Sequence, residues 1–270
     1  MKQLTLFTFC ILFVVFGYCQ IRTATFYAEK GKRQAQLEHY TEAIKYYDTA
    51  LNIDSNSSLV YFHRGICKAR LNNYSGALPD YNKAIAMGEN SYDIYYNRGV
   101  TKFYLKSYED AIPDFDKSIS LNPKFPDAFL FRGYSKEFLK NWTEAISDFT
   151  AAIDLNPQTA DGYGNRGFCY LRSQNYQEAL KDLDKSLALD STLIQSHNIR
   201  GQVKAILEDY NGALEDLNYV ISKDPDHKEA VYNRMVVRLR LNDRAGACKD
   251  YRKGLTLGEK VNDEMEAYCK

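Results

Sequence analysis

The chain has 270 residues, with 35 Lys plus Arg against 35 Asp plus Glu, so its formal net charge is zero. That balance removes the electrostatic case for a nucleic-acid partner, which calls for a basic stripe or face, and a hydrophobic content of 45% is too high for a disordered chain. The 22 tyrosines and 14 phenylalanines belong in a core or on a recognition surface.

The N-terminal segment differs from the rest. Met1 and Lys2 give a short positive start, Leu4 to Phe16 is almost wholly apolar, and Gly17-Tyr18-Cys19 leads into Gln20. This order reads as the n-region, h-region and cleavage site of an export signal. The apolar run falls short of the roughly 20 residues of a membrane span. The expectation is removal of residues 1–19 by cleavage after Cys19, and a mature chain in the periplasm or cell envelope, or secreted. Two other readings stand beside it. Cys19 could be the acylated first residue of a lipoprotein, a lipid anchor, although Tyr18 stands where that motif usually has Gly, Ala or Ser. The segment could also stay as an uncleaved anchor.

From there on the chain repeats. Gly31, Gly65, Gly99, Gly133, Gly167 and Gly201 are each 34 residues apart, and so are Ala43, Ala77, Ala111, Ala145, Ala179, Ala213 and Ala247. An aromatic series lies between them: Tyr40, Tyr74, Tyr108, Trp142, Tyr176 and Tyr210. Within a unit, Leu59, Phe62, Ile66, Ala69 and Leu71 follow helical spacing, Asn72-Asn73 is a polar turn, and Ala77, Leu78, Tyr81, Ala84 and Ile85 form a second helical stripe. Each unit therefore reads as a helix hairpin whose small residues let two helices cross closely. Thr41, Ser75 and Thr143 stand where second helices begin and are expected to cap them. Pro123, Pro157 and Pro225 stand where second helices have ended. Pro79 and Pro113 fall about one turn inside and predict a tightened or bent helix start, not a break.

This pattern resembles the tetratricopeptide repeat: an aromatic at position 4, small residues at 8, 20 and 27, Tyr at 17, an aromatic at 24 and Pro at 32. The fourth unit supplies Phe129, Gly133, Ala145, Ala152, Trp142, Phe149 and Pro157 at those places. Met235 and Arg244 depart from the pattern in the seventh unit, and Ser118 and Ser186 replace Ala at position 27. The resemblance implies an all-α, right-handed superhelical solenoid of seven repeats within residues 20–261. Their bounds are about 24–57, 58–91, 92–125, 126–159, 160–193, 194–227 and 228–261, with a C-terminal capping helix that ends at 262–270.

Two charged series run in the same register. Position 7 is Arg64, Arg98, Arg132, Arg166, Arg200 and Arg234, and position 23 is Asp80, Asp114, Asp148, Asp182, Asp216 and Asp250; the first unit has Lys30 and Tyr46 instead. Because each Arg arrives with its own Asp, interior bidentate bridges are expected rather than a row of anion-binding arginines. Beyond the last unit, Val261, Met265 and Tyr268 make one apolar side of the capping segment, Glu259 to Lys270. The ending, Ala-Cys-Lys-Asp followed by Tyr-Cys-Lys, looks like that of exported bacterial repeat proteins. That likeness and an oxidising compartment suggest a Cys248–Cys269 disulfide. Cys67 and Cys169 share position 10 of units too far apart to bridge, and read as core residues.

No catalytic set or phosphate loop emerges. No two of His39, His63, His197 and His227 are spaced like zinc ligands, and a P-loop, Gly-x-Ser-x-Gly and Cys-x-x-Cys are missing from the sequence. The expectation is a non-enzymatic chain with no cofactor and no metal, whose partner is another protein. The resemblance places the concave groove on the first helices, and its positions here are Phe62, Ile66, Arg70, Tyr96, Val100, Tyr104, Leu130, Tyr134, Phe138, Phe168 and Arg172. An aromatic strip with charged edges suits a peptide or an amphipathic helix. The expected role is a scaffold or adaptor in the cell envelope; the alternative is a structural subunit of an envelope or homo-oligomeric assembly.

Overall fold

The computed structural model describes residues 23–260 and 262–270. Residues 1–19 and the cleavage or acylation site at Cys19 lie outside the described residues, and so does Val261. The described chain is all-α, with no strand. The first helices of successive pairs are α1 (23–36), α3 (Ser58–Arg70), α5 (Tyr92–Tyr104), α7 (Pro126–Phe138), α9 (Ala160–Arg172), α11 (Ile194–Ile206) and α13 (Lys228–Arg240). The second helices are α2 (Tyr40–Ile53), α4 (Tyr74–Ala86), α6 (Tyr108–Leu121), α8 (Trp142–Leu155), α10 (Tyr176–Leu189), α12 (Tyr210–Lys223) and α14 (Arg244–Thr256), and a short α15 (Asp263–Tyr268) closes the chain. The described residues divide into two compact units, one up to residue 135 and one from residue 136.

The turn inside each pair has one geometry. Glu38, Asn72, Lys106, Lys140, Gln174, Glu208 and Asn242, again 34 residues apart, all have φ between 58° and 65°. A left-handed residue ends the first helix, and the next amide reaches back over it: Asn73 N donates to Lys68 O at 2.9 Å. None of these residues is glycine, so each turn carries a left-handed side chain. The caps differ from expectation. Thr41, Ser75 and Thr143 lie inside α2, α4 and α8, and the side-chain caps that form fall on the residue before the helix: Asn73, Asp209 and Asp243 each accept from an amide three residues on. α4 and α6 run unbroken through Pro79 and Pro113.

The glycine register has a packing cause. A Cβ on Gly65 would sit 2.8 Å from the Tyr81 ring, and one on Gly99 would sit 2.7 Å from Phe115. In the second unit of the chain the residue facing the glycine is an aliphatic one: Leu183 lies 2.9 Å from a Cβ on Gly167 and Leu217 2.9 Å from one on Gly201. The glycine at position 8 thus makes room for the large side chain at position 24. Tyr81, Phe115, Leu183 and Leu217 are fully buried as a result, each removing apolar surface from water. Cys67 and Cys169 lie in these cores, both buried with free thiols.

At the C-terminus, Cys248 and Cys269 are joined by a disulfide with Cα atoms 5.4 Å apart. Polar contacts hold α15 down as well. The Tyr251 hydroxyl donates to Asn262 O and accepts from Asn262 N at 3.2 and 3.0 Å, and Arg244 Nε donates to Tyr268 O at 2.8 Å. Met265 packs on the buried group of Met235, Ala247 and Tyr251, whereas Tyr268 stays 40% exposed beneath the Arg244 guanidinium.

Candidate binding face

The charged series is an interior frame. Arg98 donates from Nε and Nη2 to the two oxygens of Asp114 at 2.9 and 2.6 Å, and Lys102 adds a third contact to Asp114 at 2.7 Å. The same fork joins Arg64 to Asp80, Arg166 to Asp182, Arg200 to Asp216 and Arg234 to Asp250. The remaining nitrogen, Nη1, reaches one unit back, to Asp48 from Arg64, to Asn82 from Arg98 and to Asp184 from Arg200. Each arginine therefore ties two helices of its own pair and the second helix of the preceding pair. The aromatic at position 4 lies under it: Tyr61, Tyr95 and Tyr163 carry the guanidinium carbons of Arg64, Arg98 and Arg166 at 5.4, 5.7 and 5.6 Å. Burial works against the charge on Asp216, yet hydrogen bonds from Arg200, Lys204 and His197 outweigh it and hold the carboxyl below its usual range. All three nitrogens of each guanidinium are thus engaged within the chain, which assigns these arginines to the frame.

What is left is the aromatic side of the first helices. In residues 1–135, Tyr96 packs edge-on against Phe125 and Phe131 at 4.8 and 5.7 Å, and Phe103 packs on Phe131 at 5.6 Å. Tyr104 is 50% exposed and stacks on Tyr74, their rings 4.8 Å apart and 12° from parallel. The Tyr96 hydroxyl is pushed up by burial, and Asp127, Tyr104, Arg70 and Tyr134 all act on it electrostatically. Three of the expected groove residues, Arg70, Tyr104 and Tyr134, thus lie within electrostatic range of a fourth, Tyr96. Ile66, Val100 and Leu130 are half-buried between them and the core. Phe62 departs from expectation: it is 8% exposed and packs on Tyr81 in the core. Its helical phase fits either face, so spacing alone does not separate core from groove there.

In residues 136–270, Phe138 is 55% exposed. Phe168 meets Trp142 edge-on at 6.0 Å, and the Arg172 guanidinium lies 5.5 Å from the Trp142 ring centre. Glu137 is half-buried, with one carboxylate oxygen sealed from solvent and unpartnered; burial raises its carboxyl to about 7. Further along, α11 and α13 bound a cleft of about 430 Å³ lined by Gln202, Ala205, Ile206, Asn233, Val236 and Arg240. Sequence reasoning passed over this cleft because its first helix looks polar. The amide nitrogens of Asn198 and Gln202 both donate to Glu229 at 3.0 Å, while the Asn198 Oδ1 is buried without a partner among the described residues. The signal that could have found it is the apolar set Ala205, Ile206 and Val236.

Models of the tetratricopeptide repeat match residues 28–93, and residues 92–125 and 160–193. The chain is a tetratricopeptide-repeat protein. No curated protein matches it. Among solved structures it is similar to YrrB, a tetratricopeptide-repeat protein with an unusual peptide-binding site, at 25% identity and a TM-score of 0.59 over 63% of this chain and 88% of that one. MamA superposes with 22% identity and the same TM-score over 63% and 92%. A tetratricopeptide-repeat protein from Parabacteroides merdae ATCC 43184 covers 92% of this chain and 98% of its own, with 16% identity and a TM-score of 0.66; the last two likenesses show the fold. The tetratricopeptide-repeat chain is a protein-interaction scaffold, and its partner is another protein.

Proposed function

We propose that this tetratricopeptide-repeat protein is a non-enzymatic adaptor of the cell envelope that holds a segment of a partner protein on the aromatic side of its first helices. The observation that carries this reading is Tyr104, half exposed and stacked on Tyr74, beside Tyr96, Tyr134 and an arginine that is absent from the bridge series. Large aromatics left at the surface with a charge at hand are the residues that dominate protein recognition. The likeness to YrrB, which has a peptide-binding site, supports a peptide or helical segment as the occupant. The export-type N-terminus and the Cys248–Cys269 disulfide support an oxidising compartment.

Capture from a native envelope fraction tests the face. Replacing Tyr104→Ser and Phe138→Ser should abolish capture and leave helicity unchanged, since both side chains are more than a third exposed. Undiminished capture by that double variant would remove the face from the account. N-terminal sequencing of the mature protein tests the location: it should begin at Gln20, and a chain beginning at Met1 in the cytosol would contradict it.

A further inference from the structure

The hydrogen-bonding character of the face within residues 1–135 narrows what it can hold. Its tyrosine and arginine tips can all donate. The Tyr96 and Tyr104 hydroxyls make no hydrogen bond among the described residues, and the Arg70 guanidinium has no ion pair there. The surface is made of helix side chains and offers no strand edge, so a β-strand would leave half its backbone groups unmet. An α-helix spends its own carbonyls internally and would leave the hydroxyls idle. A polyproline II segment has every carbonyl free and pointing outward. Its prolines also carry no N–H, so they bring no orphan donor to a donor-rich surface. Its flat pyrrolidine rings match flat ring faces, and the Tyr74–Tyr104 stack with Tyr96 and Tyr134 supplies them. Aromatic-lined grooves recognise proline-rich chains for these reasons. Charge adds a direction: Arg70 is a cation that makes no ion pair among the described residues, while the Asp127 carboxylate, of the opposite sign, acts electrostatically on the Tyr96 hydroxyl.

We infer that the occupant of this face is a proline-rich segment in the polyproline II conformation, carrying an acidic residue that meets Arg70. The inference rests on the adaptor reading above and deepens it, by naming the chemistry of the partner.

Fluorescence anisotropy with labelled peptides of about a dozen residues, long enough to span the face at roughly 3.1 Å per residue, tests it. One peptide is proline-rich with an Asp, a second replaces its prolines by alanine, a third replaces the Asp by Lys, and a fourth is an amphipathic helix. The proline–Asp peptide should bind about tenfold or more tightly than the alanine peptide, and Tyr104→Ala should weaken it by a similar factor. Tyr104→Phe, which keeps the ring and loses the donor, should cost several-fold. Arg70→Gln should erase the preference for Asp over Lys. Equal binding of the alanine peptide, no binding of the proline peptide, or indifference to Tyr104→Ala overturns the inference. A helical peptide that binds best and is lost in Tyr104→Ala also overturns it while leaving the adaptor reading intact. A face already covered by a second copy would show as a dimer in light scattering that Tyr104→Ala dissolves, and would overturn it too. Circular dichroism of each variant confirms that the helices are retained.

Discussion

Gly31, Gly65, Gly99, Gly167 and Gly201 each lie against one specific side chain at position 24, and that neighbour sets what a methyl group there would cost. Gly99→Ala would press on the Phe115 ring from 2.7 Å, a rigid plane buried on all sides, and should lower stability by about 1–3 kcal/mol. Gly167→Ala meets Leu183 at 2.9 Å but also the backbone oxygen of Ala179 at 3.3 Å. The leucine can change rotamer, so the smaller loss is expected there. Thermal unfolding of the pair checks the order, and a costlier Gly167→Ala would contradict it. The register of these glycines was plain in the sequence; their partners became visible only once the second helix was in place. Glu137 shows the opposite case, where position in the repeat said nothing about state. Burial raises its carboxyl from 4.5 to about 7, so the folded chain holds that proton more tightly than the unfolded one. Its stability contribution is full below the unfolded value and is lost as pH rises through about 7. Urea unfolding at about pH 5 and about pH 8 should show a fall of roughly 2–3 kcal/mol that Glu137→Gln removes.

A helix pair in this chain is held by an apolar seam and a charged fork together. Asp114 is buried and accepts from Arg98 twice and from Lys102 once. Asp114→Ala would strand two cations in that seam and should cost about 2–4 kcal/mol; an unchanged melting temperature would show that the fork contributes nothing. The matching of Arg64, Arg98, Arg166, Arg200 and Arg234 with Asp80, Asp114, Asp182, Asp216 and Asp250 was legible from spacing, because the partners lie 16 residues apart. The third ligand was not, since Lys68, Lys102 and Lys204 look like ordinary surface lysines on a helix. Nor was the backward reach of Nη1, because its acceptors change chemistry from Asp48 to Asn82 to Thr150. The cap positions were misplaced by two residues for a related reason. Thr41, Ser75 and Thr143 have capping chemistry, but the left-handed residue at position 15 starts the helix earlier. The residue it leaves at the cap is Asn73 in α4 and Asp209 in α12.

At the scale of the whole molecule the repeat assigns most conspicuous residues to architecture, and the proposed binding face is what it leaves over. Tyr104 and Phe138 were named through the groove positions that the family resemblance implies, and both are exposed, at 50% and 55%. Phe62 was not separable from them, since an aromatic at its position serves the core of one pair and the surface of another equally well. The cleft at Ile206 and Val236 was hidden by amides whose nitrogens donate to Glu229. The central claim is that this scaffold grips its partner through the first-helix face. Site-specific photo-crosslinking tests it most directly, with a photoreactive residue placed at Tyr104, at Phe138 or at the exposed Lys185 of a second helix. The account predicts partner adducts from Tyr104 and Phe138 and none from Lys185; adducts confined to Lys185 would contradict it.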